Sequence, residues 1–144
     1  MSLDYSFVEQ NRASVNRIRH LVNRLTEAEW QQPVGEHWTV AIALAHITFW
    51  DRRMVILLDE TERAGKLVIP QLDILINDVL LPMWAAIPPH EVGRLAVATA
   101  EFVDQRLEHF PPALLEEIWT LSDRFIIRAG HRHQHLDEIE AALS

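Results

Sequence analysis

The sequence predicts an all-α fold: an antiparallel four-helix bundle with a long connection between helices two and three. Three observations predict it. Apolar residues recur at three- and four-residue steps along four long segments, the spacing that lines one side of a helix. Glycine is scarce, at four residues in 144, and strand-like alternation is hard to find. The links after the first and third segments are short, which turns each helix back on its neighbour, whereas the middle link is long.

The first helix runs from about Asp4 to Leu25. Val8, Val15, Ile18, Val22 and Leu25 share its stripe, and Asn11 falls there too. Thr26-Glu27-Ala28-Glu29 has the form of a capping box opening a short turn. Pro33 and Gly35 then mark a loop. The second helix starts near Thr39, a suitable N-cap, and runs to about Ala64, with Gly65 as its stop. Ile42, His46, Phe49 and Ile56 lie on one side of it; Val40, Leu44, Ile47, Met54 and Leu58 lie on another. Two apolar sides imply burial on two faces, and with it a homodimer covering part of Val40–Leu58.

Leu67 to Pro89 is the long connection, with some helical character. The third helix follows Pro88-Pro89, since proline suits a first turn. Val92, Leu95, Ala96, Thr99, Phe102, Val103 and Leu107 form its stripe, and Pro111-Pro112 end it. The fourth helix starts near Ser122-Asp123 and runs to about Leu143, with Ala129, Leu136, Ile139 and Leu143 inward. The chain, 1–144, reads as a single domain.

Composition excludes several function classes. The formal net charge is −8 and no Lys/Arg-rich run occurs, which disfavours nucleic-acid binding through a basic face. There is no cysteine, so a disulfide framework, a thiolate metal site and a cysteine nucleophile are all excluded; any catalytic thiol must come from a small molecule. The opening Met1-Ser2-Leu3-Asp4-Tyr5 lacks the basic and apolar regions of a signal peptide, and no apolar run reaches membrane-span length. The expectation is a soluble cytoplasmic protein acting on a small molecule.

The chemistry points to histidine. His131 and His135 are spaced i, i+4 on the fourth helix, and four residues turn through about 400°, so both imidazoles stack on one face. His46 sits in the apolar stretch Ala41–Phe49, where an imidazole has no packing rationale and both ring nitrogens need partners. Together the three would form a three-nitrogen cage with open coordination positions, the mark of a catalytic rather than a structural metal site. The plain alternative is chance, because eight histidines make i, i+4 pairs easy to find. His133 turns about 200° from His131 on a helix and is read as solvated. The H-x-H-x-D-H pattern is missing because position 135 is His, and H-E-x-x-H is missing because position 132 is Arg.

Other residues carry two readings each. Arg53, two turns after His46, suits an anionic substrate or is a snorkelling surface arginine. Trp50 either walls a pocket or packs in the core. Asp123, Arg124 and Glu138 are acid/base or supporting groups, or else caps and surface charges. His20, His37, His90 and His109 belong to no constellation.

Two motifs carry a resemblance. Glu36-His37-Trp38-Thr39-Val40 through Leu44-Ala45-His46-Ile47 resembles the "W-S/T-V…L-A-H" opening of helix two in the DinB-like superfamily of small four-helix bundles. His131 to Ile139 resembles that family's "H-x-x-x-H-L-x-E-I" on helix four, and Asp73–Trp84, with Asn77-Asp78, resembles its "D-x-x-N" connection. The resemblance implies metal ligation by His46, His131 and His135, a divalent ion (zinc or nickel), and often a dimer. It also implies kinship with thiol-dependent S-transferases and with a maleylpyruvate isomerase that uses mycothiol. Lacking the C-terminal domain that some relatives carry, the chain would be the minimal form. Two enzyme readings follow: a transferase delivering a metal-bound low-molecular-weight thiol to an electrophile, or a hydrolase using metal-activated water. A metal- or ligand-binding bundle without turnover is the third.

Overall fold

Helix forms where the apolar spacing asks for it. In the computed structural model, which describes residues 3–144, the first helix is α1 (Phe7–Arg24), burying Phe7, Asn11, Ser14, Val15, Ile18 and Leu21. Met1 and Ser2, the start of the segment read for a signal peptide, lie outside the described residues. The capping box is real. Thr26 Oγ1 accepts from the Glu29 amide, Glu29 Oε1 accepts from the Thr26 amide at 2.9 Å, and the short α2 (Glu27–Trp30) follows. It buries Trp30, whose ring presses on Gly93; a Cβ there would lie 2.9 Å from that ring and 2.7 Å from Val22, so only glycine fits.

The loop expected at Pro33–Gly35 is in fact a small hairpin. β1 (Pro33–Val34) pairs antiparallel with β2 (Trp38–Thr39), Val34 opposite Trp38, around Gly35 at φ +68°. Two-residue strands are too short to show alternation in sequence. The hairpin feeds directly into α3 (Val40–Ala64). Thr39 Oγ1 accepts from the Ile42 amide, and Gly65 ends the helix at φ +69°. Every residue from Val40 to Ile47 is buried. Both apolar sides of α3 are therefore covered within one chain, and Ile56 is the large apolar side chain it leaves exposed.

The long connection contains a helix, α4 (Ile76–Ala86), with Pro82 inside it. The third expected helix is α5 (Pro89–Glu108). Two boundaries differ from expectation. Pro111-Pro112 end one helix but also open another, α6 (Pro112–Leu121), because proline is tolerated in a first turn. Ser122 caps only a 3-10 turn over Asp123–Phe125, accepting from the Arg124 amide; the last helix, α7 (Ala129–Leu143), starts later than expected. Its first turn is tied down from across the chain. Asn11 Oδ1 accepts from the Ala129 amide at 2.9 Å while its Nδ2 donates to the Ile126 carbonyl at 2.9 Å.

The long helices α1, α3, α5 and α7 pack as a bundle, with α4 against α3 and α6 at one end. Two apolar clusters fill it. One gathers Val15, Ile18, Leu44, Ile47, Ala96 and Leu136; the other gathers Phe7, Met54, Leu58, Leu107, Leu115 and Ile126. A polar layer separates them, since Asn11 and Ser14 lie between Phe7 and Val15 and Asp51 lies between Ile47 and Met54. Among the described residues, no helix is long and apolar enough to cross a membrane.

Candidate metal centre

The polar layer opens on three histidines. His46 projects from the apolar, buried first half of α3, and is 5% exposed. His131 and His135 occupy successive turns at the start of α7. The fold brings all three together, with one ligand atom from each lying within 4.8 Å of the others. Nε2 of His46 and Nε2 of His131 are 3.2 Å apart. A tetrahedral ion with nitrogens at about 2.0–2.1 Å holds them about 3.3–3.4 Å apart, so the spacing fits. Nδ1 of His46 and Nδ1 of His131 are buried without a hydrogen-bond partner.

Burial also sets their charge. Desolvation, with the nearby His135, pushes His46 down to about 4. Desolvation, with Arg128, His135 and His46, pushes His131 down to about 3. Both are neutral at pH 7, the form that ligates.

His135 is oriented by a carboxylate. Glu138 Oε2 lies 3.1 Å from its Nδ1, which leaves Nε2 for the cluster. Of the two readings Glu138 carried, the supporting group is the one its contact with His135 fits. Aromatic rings wall the site. Trp38, from the hairpin, lies 4.7 Å from the His46 ring and 5.7 Å from His135, and Trp84 of α4 lies 5.7 Å from His46. Trp50 belongs to this wall rather than to the core, and its Nε1 donates to Asn77 Oδ1 at 3.0 Å. That bond gives Asn77 of the "D-x-x-N" stretch a role, while Asp73 only caps, accepting from the Leu75 amide.

His133 points away from the cluster, as helical geometry requires, but it is half-buried rather than solvated. Its Nδ1 is 2.9 Å from Arg17 Nη1. His20, His90 and His109 are exposed and apart from the site, whereas His37, also exposed, lines the same cavity as His135. Asp123 and Arg124 sit in the 3-10 turn before α7, and Arg53 is half-buried between Trp50 and Phe125.

The residues missed in sequence are the charges behind the three histidines. Asp51 is fully buried and accepts from Arg128 Nε and Arg132 Nε, each at 2.9 Å. Arg132 continues to Asp104 at 2.9 Å and to Ser14 Oγ at 3.1 Å. Burial drives the Asp51 carboxyl up, but the two arginines outweigh it and hold it below the carboxylate range. Desolvation pushes the half-buried Asp104 carboxyl up, with nearby Asp51 adding to it and Arg132 opposing it. The signal was available. Leu44, Ile47, Met54, Val55 and Leu58 surround Asp51 at helical spacing, and Ala129, Leu136 and Ile139 surround Arg132, so each charge stands on an apolar face.

The site has two mouths. A cavity of about 570 Å³ meets His131, and one of about 530 Å³ meets His135 beside Glu36, Trp38 and Glu138. Residues 11–135 match the family described as the mycothiol maleylpyruvate isomerase N-terminal domain, a stretch running from Asn11 to the last of the three histidines. The chain belongs to this family. Membership of the mycothiol maleylpyruvate isomerase N-terminal domain family places it in the DinB-like superfamily and agrees with the helical bundle and its hairpin. No curated protein and no solved structure matches the chain.

Proposed function

We propose that this protein is a metal-dependent S-transferase, delivering a low-molecular-weight thiol to an electrophilic small molecule. One observation carries the reading: three imidazoles, two held neutral by burial, converge at ligand spacing in a family whose namesake uses a thiol. A divalent ion held by three neutral imidazoles keeps its full charge and so acidifies a bound thiol or water. The chain itself has no cysteine, so the thiol is a cosubstrate.

The remaining roles belong to the protein. Glu138 fixes the His135 tautomer and ring plane. Trp38, Trp84 and Trp50 exclude water on the His46 side and strengthen electrostatics there. Asp51 and Arg132 hold α7 against α3, which sets the distance between His131 and His46. A cytoplasmic setting, where small thiols stay reduced, belongs to the same proposal. So does a homodimer, for which Ile74, Leu75, Val79 and Met83 are exposed apolar side chains in addition to Ile56.

The test is elemental analysis of untagged protein, zinc and nickel included, followed by thiol consumption with bacillithiol, mycothiol and glutathione across a panel of electrophiles. Metal-dependent loss of one thiol, abolished by His46→Ala, supports the transferase. Ester or amide cleavage without thiol consumption favours the hydrolase. Metal binding with no reaction in any arm favours a binding module.

A further inference from the structure

The two mouths differ in charge. The His135 mouth carries Glu36 and Glu138, whereas the His131 mouth carries Arg53, Arg124 and Arg128. Arg128 is committed elsewhere, through Nε to Asp51 and Nη1 to the Arg124 carbonyl. Arg53 is not. Its guanidinium carbon lies 5.5 Å from the centroids of both Trp50 and Phe125, and Nη2 donates to the Pro70 carbonyl at 2.9 Å. Its Nε is buried without a partner, and among the described residues no carboxylate forms an ion pair with it.

A shortage of acids does not explain this, because the chain holds 21 Asp and Glu against 13 Lys and Arg. The acid lining the same cavity, Asp123, is exposed and pairs with none of these arginines. A half-buried guanidinium fixed between two rings, with donors unanswered, suits a planar oxyanion held by two parallel hydrogen bonds. The cavity's 570 Å³ suits a small molecule.

We infer that Arg53 is a carboxylate anchor. A reactant bearing a carboxylate docks that group on Arg53 and lays its apolar body against Trp50 and Phe125, which brings the rest of it to His131. The inference rests on the proposed function in treating the docked molecule as a reactant of the histidine site. The carboxylate belongs either to the electrophile or to the thiol.

The experiment is calorimetric titration of the zinc-loaded protein with benzoate and with benzamide, a matched pair differing in charge. Benzoate should bind at least about tenfold more tightly than benzamide. Arg53→Gln should erase that difference at unchanged zinc content and helicity. Arg53→Lys, which keeps the charge but loses the fork, should retain part of it. Equal binding of the two probes, or benzoate binding unchanged in Arg53→Gln, would overturn the anchor; the second result would mean that benzoate sits on the ion or on another arginine.

Mercaptosuccinate and mercaptoethanol then assign the source. If Arg53→Gln weakens only mercaptosuccinate, the carboxylate is the thiol's. If neither thiol is affected while benzoate is, it is the electrophile's. Selectivity for benzoate without any turnover would leave the anchor standing and sink the transferase reading. Turnover without that selectivity would do the reverse.

Discussion

Arg132 and Asp51 meet at 2.9 Å with neither side chain exposed to solvent, directly behind His131. Breaking a buried pair from one side strands the other charge, which costs about 3–5 kcal/mol. Arg132→Met and Asp51→Ala should each lower stability by about that much, read as a shift in urea midpoint. The double variant should be less destabilised than the sum of the two singles. Full additivity would show that the pair is not coupled.

His46→Ala, His131→Ala and His135→Ala should each remove most bound metal, measured as ions per chain after dialysis. His133→Ala should keep it, because that ring lies on the Arg17 side of α7. If His133→Ala lost metal as fully as His131→Ala, the cluster would be misassigned.

Glu138→Gln keeps the size of the side chain but removes the charge facing His135 Nδ1. Loss of such a supporting partner weakens metal affinity by about 10- to 100-fold. Competition with a chromogenic chelator measures it. Affinity within twofold of the wild type would mean that Glu138 is only a surface charge.

The metal-free protein should lose stability as pH falls. Above the ordinary histidine value of 6.5, His46 and His131 are neutral in both states and nothing changes. Below 6.5 the unfolded chain takes up protons that the folded chain refuses until about 4 at His46 and about 3 at His131. Urea midpoints should therefore decline between 6.5 and 3, and His131→Asn should flatten the decline. A midpoint constant across that window would contradict the burial described for these rings.

The bundle and the histidine cluster were legible for one reason: both are periodic. Val15, Ile18 and Val22 announce α1, and His131 and His135 announce a shared face. What stayed hidden was set by distance rather than by period. Pro111-Pro112 can end one helix or begin the next, and here they do both, so α6 was read as a link. The hairpin at Val34 and Trp38 is too short to alternate. The spacing of Glu138, three residues after His135, allowed a supporting group or a surface acid, and only the fold shows its carboxylate against the His135 ring. The sequence left Arg53 between an anion-binding and a snorkelling arginine, because nothing local reveals that Phe125, 72 positions on, covers its other face.

Asn11 gives the site a history as well as a position. The turn that carries His131 is fastened by a side chain 115 and 118 residues earlier, one hydrogen bond to Ile126 and one to Ala129. A synthetic peptide spanning α7 alone lacks that fastening, and helices of about 15 residues are marginal in water. Circular dichroism of such a peptide should show mostly coil, with metal bound loosely if at all. The histidine cluster thus belongs to the closed chain: during folding the segment around Asn11 must find the start of α7 before the three imidazoles can converge.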